Sequence, residues 1–503
     1  MKDIYDAVII GSGLGGLACG AMLAKEGYRV CVVERNKQIG GTLQTFVRDK
    51  NIFDSGVHYV GGLDPGQNLN QIFKHLEIMD KVKIRKMDED GFDGMMFGDD
   101  PKTYWYAQGY DNFIQKLALD FPDEEEAIRT YCDKVRDVCN KFPLYNLEVG
   151  DYFDKMNVLE IETKAYLESI TDNKTLQNVL AGTSLLYAGE AYKTPFYVHA
   201  LVVNSYIQSS FRFVDGGSQI ARLLAKVIKS NGGTILKGKN VNRIVEEGGS
   251  VEFIETDTNE KFFGKLFISS IHPQQTMEMT ASPLIKKAFR SRLEGLQNSV
   301  STFYISIVLK KGSLRYQNKN YYYFAKNDAW SALEYTPETW PTGYALYFSA
   351  ISKNTEYAEA ITLMTYMHFE DVAKWKDTFN TVLREGDRGK EYELFKKERA
   401  EKLFASVEKR FPGFTDSINK YYVATPLTLR DYMGTNDGSM YGVVKDYKEP
   451  MRTFISPRTK IPNLYLTGQN LNLHGVLGVA VSAVVTCSEI LGGDYLLTKI
   501  RDA

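Results

Sequence analysis

The chain has 503 residues, with 61 Lys and Arg against 63 Asp and Glu and a formal net charge of −2. That balance offers no basic field for nucleic acid, and the length suffices for a large core divided between two domains. The five cysteines, Cys19, Cys31, Cys132, Cys139 and Cys487, form an odd set without compact spacing; this argues against a disulfide framework or a metal quartet and fits a reducing cytoplasm. The first element is an apolar run, Ala7–Ile10, read as a buried strand. It stops at Gly11, Gly13 and Gly16 and continues as Leu17–Lys25 with helical spacing. A second apolar run, Arg29–Val33, ends in Glu34. Strand, glycine turn, helix and strand make a βαβ unit with its glycines at G-x-G-x-x-G. In that pattern Gly11 makes the turn, Gly13 lets the backbone approach a pyrophosphate, and Gly16 lets helix and strand pack closely. The loop Ser12–Gly13–Leu14–Gly15 puts the N–H groups of a helix start, with about half a positive charge, beside the phosphates. Glu34 can accept a hydrogen bond from a ribose hydroxyl, and an acid there argues against the 2′-phosphate of NADP.

Downstream, residues 68–95 read first as helix and then as polar chain. Asp90–Gln108 reads as two short strands joined by a turn at Gly98–Pro101, and residues 110–140 and 151–190 read as helical. The acidic run Asp123–Glu126 suits the first turn of a helix. Phe196–Tyr206 is an apolar helix, and Gly216–Gly217 open an amphipathic one, Gln219–Lys229. Strands follow at Thr234–Leu236, Val241–Glu246, Val251–Thr256 and Leu266 onward, with His272–Pro273 at a turn where the histidine has a structural part. Residues 300–350 alternate as antiparallel strands, Leu363–Trp375 runs from strand into helix, and residues 390–410 form a charged surface helix. The longest apolar stretch, Val476–Val485, is shorter than the ~20 residues of a membrane span. The N-terminus runs straight into the first strand, which leaves no room for a signal peptide. The fold class is therefore α/β, a Rossmann-like dinucleotide-binding domain carrying an inserted α+β substrate domain.

Glu34 is followed by R-N-K-Q-I-G-G; together with Gly20, Leu23, Gly27 and Val32 this resembles the extended N-terminal FAD motif of the glutathione-reductase-like flavoproteins. FDSGVHYVGG (Phe53–Gly62) and NLYLTGQNLNLHGVLGVAVSA (Asn463–Ala483) are similar to the branch containing phytoene desaturases, carotenoid isomerases and retinol saturases. The resemblance is close at both chain ends and patchy between them. It implies FAD as cofactor and extends the cofactor residues from Gly11–Gly16 and Glu34 to Arg35, Gly40, Gly41 and Thr42. It adds Val241, whose backbone would face adenine, and Gly468, Gln469, Gly475, Val476 and Gly478 at the ribityl and ring end. It also implies FAD-binding parts at residues 1–66, 206–290 and 453–503, a mostly helical cap at 67–205 and a substrate sheet at 291–452. His58, Tyr432, Tyr441 and His474 are the expected proton handlers near the flavin; packing alone explains such residues equally well.

The expected activity is hydride transfer between flavin N5 and a long apolar polyene or isoprenoid, with saturation of a C=C bond foremost and desaturation or isomerisation open. With one dinucleotide-binding βαβ, reduced nicotinamide or another electron donor would act from outside. The substrate class implies peripheral contact with a membrane by a cytoplasmic protein. An amine oxidase of the same superfamily is the second enzyme reading, and a prenyl-binding escort protein without flavin the third. The sequence holds no H-E-x-x-H, no G-x-S-x-G and no phosphate-binding P-loop.

Overall fold

The first strand, Ile4–Ile10, lies inside a seven-stranded sheet, flanked by Val30–Glu34 on one side and Lys261–Ser269 on the other, both parallel to it. A computed structural model describes residues 3–150, 155–353 and 356–503 of the chain. Thr234–Lys237 extends the sheet beyond Val30–Glu34. Beyond Lys261–Ser269 come Ser250–Thr256 and Val241–Glu247, both antiparallel. The C-terminal strand Leu464–Leu466 runs parallel to Phe267–Ser269. The parallel strands are apolar where both faces are covered: Ala7, Val8, Ile9, Val30, Val32 and Ile268 are fully buried. On one face lies the helix Leu14–Lys25, packed against Ser218–Ser230 and Gly475–Leu491. Gly20 allows this, since a Cβ there would lie 3.0 Å from Ile228 Cδ1 and 3.2 Å from Ile9 Cδ1.

A second sheet runs in the order Ile418–Ala424, Ser301–Leu309, Ala360–Met367, Gly343–Phe348, Asn320–Phe324, Asp93–Phe97, Tyr104–Tyr106. Its pairs are antiparallel except Asn320–Phe324 with Asp93–Phe97. Two strands from the expected cap thus join the expected substrate sheet, so the segments 67–205 and 291–452 share one layer. Its faces differ in company. One packs on the helix Lys390–Arg410 through Leu403, Phe404 and Val407; the other, with Tyr304, Tyr322 and Tyr347, faces the core shared with the dinucleotide-binding part.

The cap helices are Tyr110–Asp120, Glu125–Asn140, Thr163–Ile170, Lys174–Leu180 and Phe196–Gln208. Glu125–Asn140 shows a strong apolar stripe and packs it on Phe196–Gln208, which is buried nearly all round. Glu125 and Glu126 occupy the first turn of their helix, as charge placement at a helix start favours. The helical expectation from 151 falls partly on 151–154, outside the described residues; after it the chain breaks into Met156–Leu159 and Thr163–Ile170 because Glu162 caps the second helix, accepting from Lys164 and Ala165 N–H. Leu363–Trp375 holds as a strand to Met367 and then becomes a 3₁₀ segment, Phe369–Trp375. His272 is indeed structural: it caps Pro273–Glu278 through Nδ1, and its Nε2 pairs with Asn298. Among the described residues no helix is long and apolar enough to cross a membrane.

Candidate functional site

The glycine loop closes the sheet's C-terminal edge. Gly11, at φ +90°, turns the chain and takes a conformation other residues avoid. Gly16 is where the helix meets the loop; a Cβ there would lie 2.2 Å from the Gly11 carbonyl oxygen. Gly13 differs: it is extended (φ −62°, ψ 172°), caps Leu14–Lys25, and a Cβ on it would meet no protein atom within 4 Å. The protein therefore leaves space over Gly13, at a helix N-terminus with free N–H groups and no side-chain cap. Gly40 and Gly41 fold back against this loop, with Gly40 N–H donating to Ser12 O at 2.9 Å and a Gly41 Cβ falling 3.2 Å from Gly13 Cα. Thr42 continues into the 3₁₀ turn Gly41–Leu43 and packs beside Gly56.

Glu34 is buried where its strand ends and already has partners. Its Oε2 accepts from Ser12 N–H at 2.9 Å and Ser12 Oγ at 2.6 Å, and Oε1 accepts from Asn36 N–H at 2.7 Å. The carboxylate thus fixes the phosphate loop; Oε2 is filled by its two donors, and Oε1 keeps one lone pair for a further donor. Val241 begins its strand nearby: Lys239 N–H donates to Glu34 O at 2.9 Å. Arg35 donates to the Asp431 carbonyl at 2.7 Å, and burial pulls its pKa down while Glu34 and Asp431 oppose this.

Tyr432 belongs to this end and not to the ring end, which corrects the expectation that it handles protons there. Its carbonyl accepts from Asn36 Nδ2 at 3.0 Å and its hydroxyl from Val382 N–H at 3.2 Å. The helix Pro426–Met433 carries it across to the end of Val30–Glu34, and it takes no part in lining the cavity described below. Sequence spacing could not show this, because the Arg35 and Asn36 contacts that hold the helix span 396 positions.

The C-terminal strand brings the other chain end to the loop. A Cβ on Gly15 would lie 3.1 Å from Gly468 Cα, so the two backbones touch. Beyond Gly468, Asn470 Oδ1 accepts from Val443 N–H at 3.1 Å. Lys445, which sequence reasoning missed, donates from Nζ to the carbonyls of Thr453 at 2.8 Å, Leu471 at 3.0 Å and Asn470 at 3.2 Å. Burial brings its pKa down to about 7, with the Arg292 charge adding. Gln469, Lys445 and His474 border a small side pocket.

Gly475–Leu491 then begins at a cavity of about 750 Å³, counting its open mouth. Gly56–Gly61 form one wall, Leu201, Val202, Ser205 and Tyr206 another, Tyr304, Tyr347, Met440 and Tyr441 a third, and Leu473–Gly478 the fourth. Gly478 lets the helix approach, since a Cβ would fall 2.7 Å from the Leu473 carbonyl. Gly475, Val476 and Gly478 border the cavity, which therefore receives the positive end of the helix dipole.

His58, Tyr441 and His474 come together here. His58 stacks on Tyr347 with centroids 4.3 Å apart, and its Nε2 is buried without a partner. Burial, with the Arg212 charge adding, pushes its pKa down to about 3. His474 Nε2 pairs with the Leu186 carbonyl at 2.9 Å, and Tyr441 donates to Leu185 O at 2.8 Å. Burial pushes His474 down to about 4, against the Leu186 bond and with help from Lys445. Both imidazoles are neutral at pH 7, and the Tyr441 hydroxyl proton is committed to a carbonyl. The site is thus an aromatic, largely apolar chamber at a helix start. No group of three or more metal-ligating side chains occurs among the described residues.

The sequence profile of the NAD(P)-binding Rossmann-like domain matches residues 9–76. The all-trans-retinol 13,14-reductase of Rattus norvegicus is 28% identical over 98% of this chain and 86% of its own. Prolycopene isomerase 1, chloroplastic, of an Oncidium hybrid cultivar is 26% identical over 98% of this chain and 85% of its own. Over nearly its whole length the chain is thus similar to these reductases and isomerases. The Rossmann-like match covers the glycine loop and Glu34. Among solved structures, an oxidoreductase from Methanosarcina mazei aligns with a TM-score of 0.66 at 16% identity over 96% of this chain and 100% of its own. A putrescine oxidase variant aligns at 0.66 and 12% identity over 99% of each. These two likenesses show the fold alone, a Rossmann-like part carrying an inserted second sheet and helices.

Proposed function

We propose that the chain is an FAD-dependent oxidoreductase that reduces one C=C bond of a long apolar polyene, in the manner of a retinol saturase. One observation carries this reading: the uncrowded glycine loop and an aromatic cavity are joined by the contact between the two chain ends, in a chain related along 98% of its length to a retinol 13,14-reductase. The residues fit the cofactor. The space over Gly13 suits a pyrophosphate, Glu34 Oε1 keeps a lone pair for one ribose hydroxyl, and the Gly475 helix start favours negative charge nearby. When bound, flavin supplies two-electron chemistry that no side chain here can perform. The chain's own task is to bind it, exclude water and hold one bond of the substrate in place, with Tyr304, Tyr347, Met440 and Val202 as apolar walls. An external donor such as reduced nicotinamide would supply the electrons.

Peripheral membrane contact belongs to the same reading, for a cytoplasmic protein whose substrate resides in lipid. Leu144, Val149 and Met156 of the cap segment are 36%, 58% and 37% exposed. The amine-oxidase reading gains only the fold likeness, and the one lysine beside the site, Lys445, has all three donors on carbonyls. The test is anaerobic incubation of the purified yellow protein with dithionite and all-trans-retinol or a carotenoid, followed by mass spectrometry. A dihydro product supports the reading. Amine turnover with peroxide release, or a protein that retains no flavin, overturns it.

A further inference from the structure

Behind the cavity wall lies a chain of buried hydroxyls that packing does not require. Tyr347, which lines the cavity and carries the His58 stack, meets Tyr322 ring to edge with centroids 6.1 Å apart. The Tyr322 hydroxyl lies 2.6 Å from that of Tyr59, and Tyr59 lies 2.7 Å from Asp93 Oδ2. Asp93 Oδ1 accepts from Asn320 Nδ2 at 2.8 Å, and Asn320 Oδ1 accepts from Arg212 at 2.8 Å. Asp93, Tyr322 and Asn320 are fully buried and Arg212 is 1% exposed. Nε and one terminal nitrogen of Arg212 have no partner at all. An apolar core of the same volume would be as stable or more so, which makes an unsatisfied guanidinium beside a carboxyl a feature to explain. We propose that Tyr347, Tyr322, Tyr59 and Asp93 form a proton relay that delivers to the cavity the proton needed for reduction of the substrate's double bond.

The inference rests on the functional reading above. Reducing C=C takes two electrons and two protons. Bound flavin, reduced by an external donor, would supply the hydride that forms one C–H bond as the π bond breaks. The other forms with a proton from Tyr347 Oη. Tyr322 then reprotonates Tyr347, Tyr59 reprotonates Tyr322, and the carboxylic acid of Asp93 reprotonates Tyr59. The carboxylate left on Asp93 lies in the field of Arg212, and a solvent proton restores it after product leaves. The groups acting on Asp93 are consistent with this. Burial raises its pKa to about 7, while Tyr59, Asn320 and Arg212 lower it. The further ionisable side chains that sense its charge are Tyr106, Tyr206, Tyr322 and Tyr347, all held protonated by burial. A carboxyl with its pKa near the working pH can both give and take a proton.

Two variants test it. Tyr322→Phe breaks the path and leaves the Tyr59–Asp93 bond and the core shape intact; Asp93→Asn removes the acid. In flavin-free protein, infrared titration should show the C=O band of a buried carboxylic acid losing its proton near neutral pH. Because Asp54 is also raised to about 7, the band should have two components, one lost in Asp93→Asn and the other in Asp54→Asn. In anaerobic single turnovers of the reduced holoenzyme, Tyr322→Phe should slow product formation roughly 100-fold or more, the usual share of a positioned acid. Wild-type reduction with an unimpaired Tyr322→Phe variant, or a carboxylic acid band that survives Asp93→Asn unchanged, overturns the relay alone. A flavin-loaded wild type that reduces no polyene overturns the functional reading and the relay with it.

Discussion

Replacing Gly13 by valine separates cofactor fit from fold. The residue is extended, in a region open to any side chain, and a Cβ there meets no protein atom within 4 Å. The flavin-free variant should therefore keep its stability to within about 0.5 kcal/mol, with the lost chain entropy of the unfolded state acting in its favour. Binding should suffer heavily, because the valine fills the space a phosphate needs and keeps it from the loop N–H groups. Losing two charge-assisted hydrogen bonds, at about 1.5–3 kcal/mol each, gives roughly 3–6 kcal/mol, or about 10²–10⁴ in Kd. Gly16→Ala is the contrast: its methyl falls 2.2 Å from the Gly11 carbonyl oxygen, and it should destabilise the flavin-free fold itself by about 3 kcal/mol or more. Paired thermal melts and flavin titrations measure both. A Gly13→Val protein that binds FAD like wild type, or that melts as low as Gly16→Ala, refutes the reasoning.

Glu34→Ala leaves Ser12 and Asn36 N–H without their acceptor, so flavin-free stability in denaturant should fall by about 2–4 kcal/mol as FAD affinity falls; unchanged stability would free Glu34 of its structural part. Lys445→Met should loosen the Asn470–Leu471 turn and speed flavin release, read as a faster rate of fluorescence recovery, and an unaltered rate would count against it. His199, between the Tyr131 and Tyr187 hydroxyls, has its pKa pushed down to about 3 by burial. The fold favours its neutral form, so this contribution is complete above the unfolded value of 6.5 and is lost as pH falls toward 3. By pH 5 the loss is about 2 kcal/mol. His199→Gln should thus show a stability deficit that shrinks between pH 7.5 and 5, and a constant deficit in urea melts would contradict this.

What the sequence made legible was local. The βαβ unit, its glycines and Glu34 could be read because strand, turn, helix and acid lie within one short stretch whose spacing is itself the mechanism. The C-terminal strand and helix were readable for the same reason, and His58, Tyr441 and His474 do meet at one cavity. What depends on distant pairing was not legible. Tyr432 is drawn to the Glu34 end by contacts across hundreds of positions. Asp93 falls in a segment read only as a short strand, and a parallel pairing with Asn320–Phe324 places it beside Tyr59 and Asn320. Lys445 reads as one surface lysine among many, because backbone carbonyls, which have no sequence signature, are what hold it. The alternating segments 300–350 showed strands but not their order, in which Ala360–Met367 comes between Ser301–Leu309 and Gly343–Phe348.

The most direct measurement is a crystal structure of the protein purified with its flavin and soaked with a polyene alcohol. The account predicts the pyrophosphate over Gly13, the ring against the start of Gly475–Leu491, and the polyene between that ring and Tyr347. A flavin ring turned away from the His58–Tyr441–His474 cavity, or a dinucleotide bound elsewhere on the chain, would contradict it.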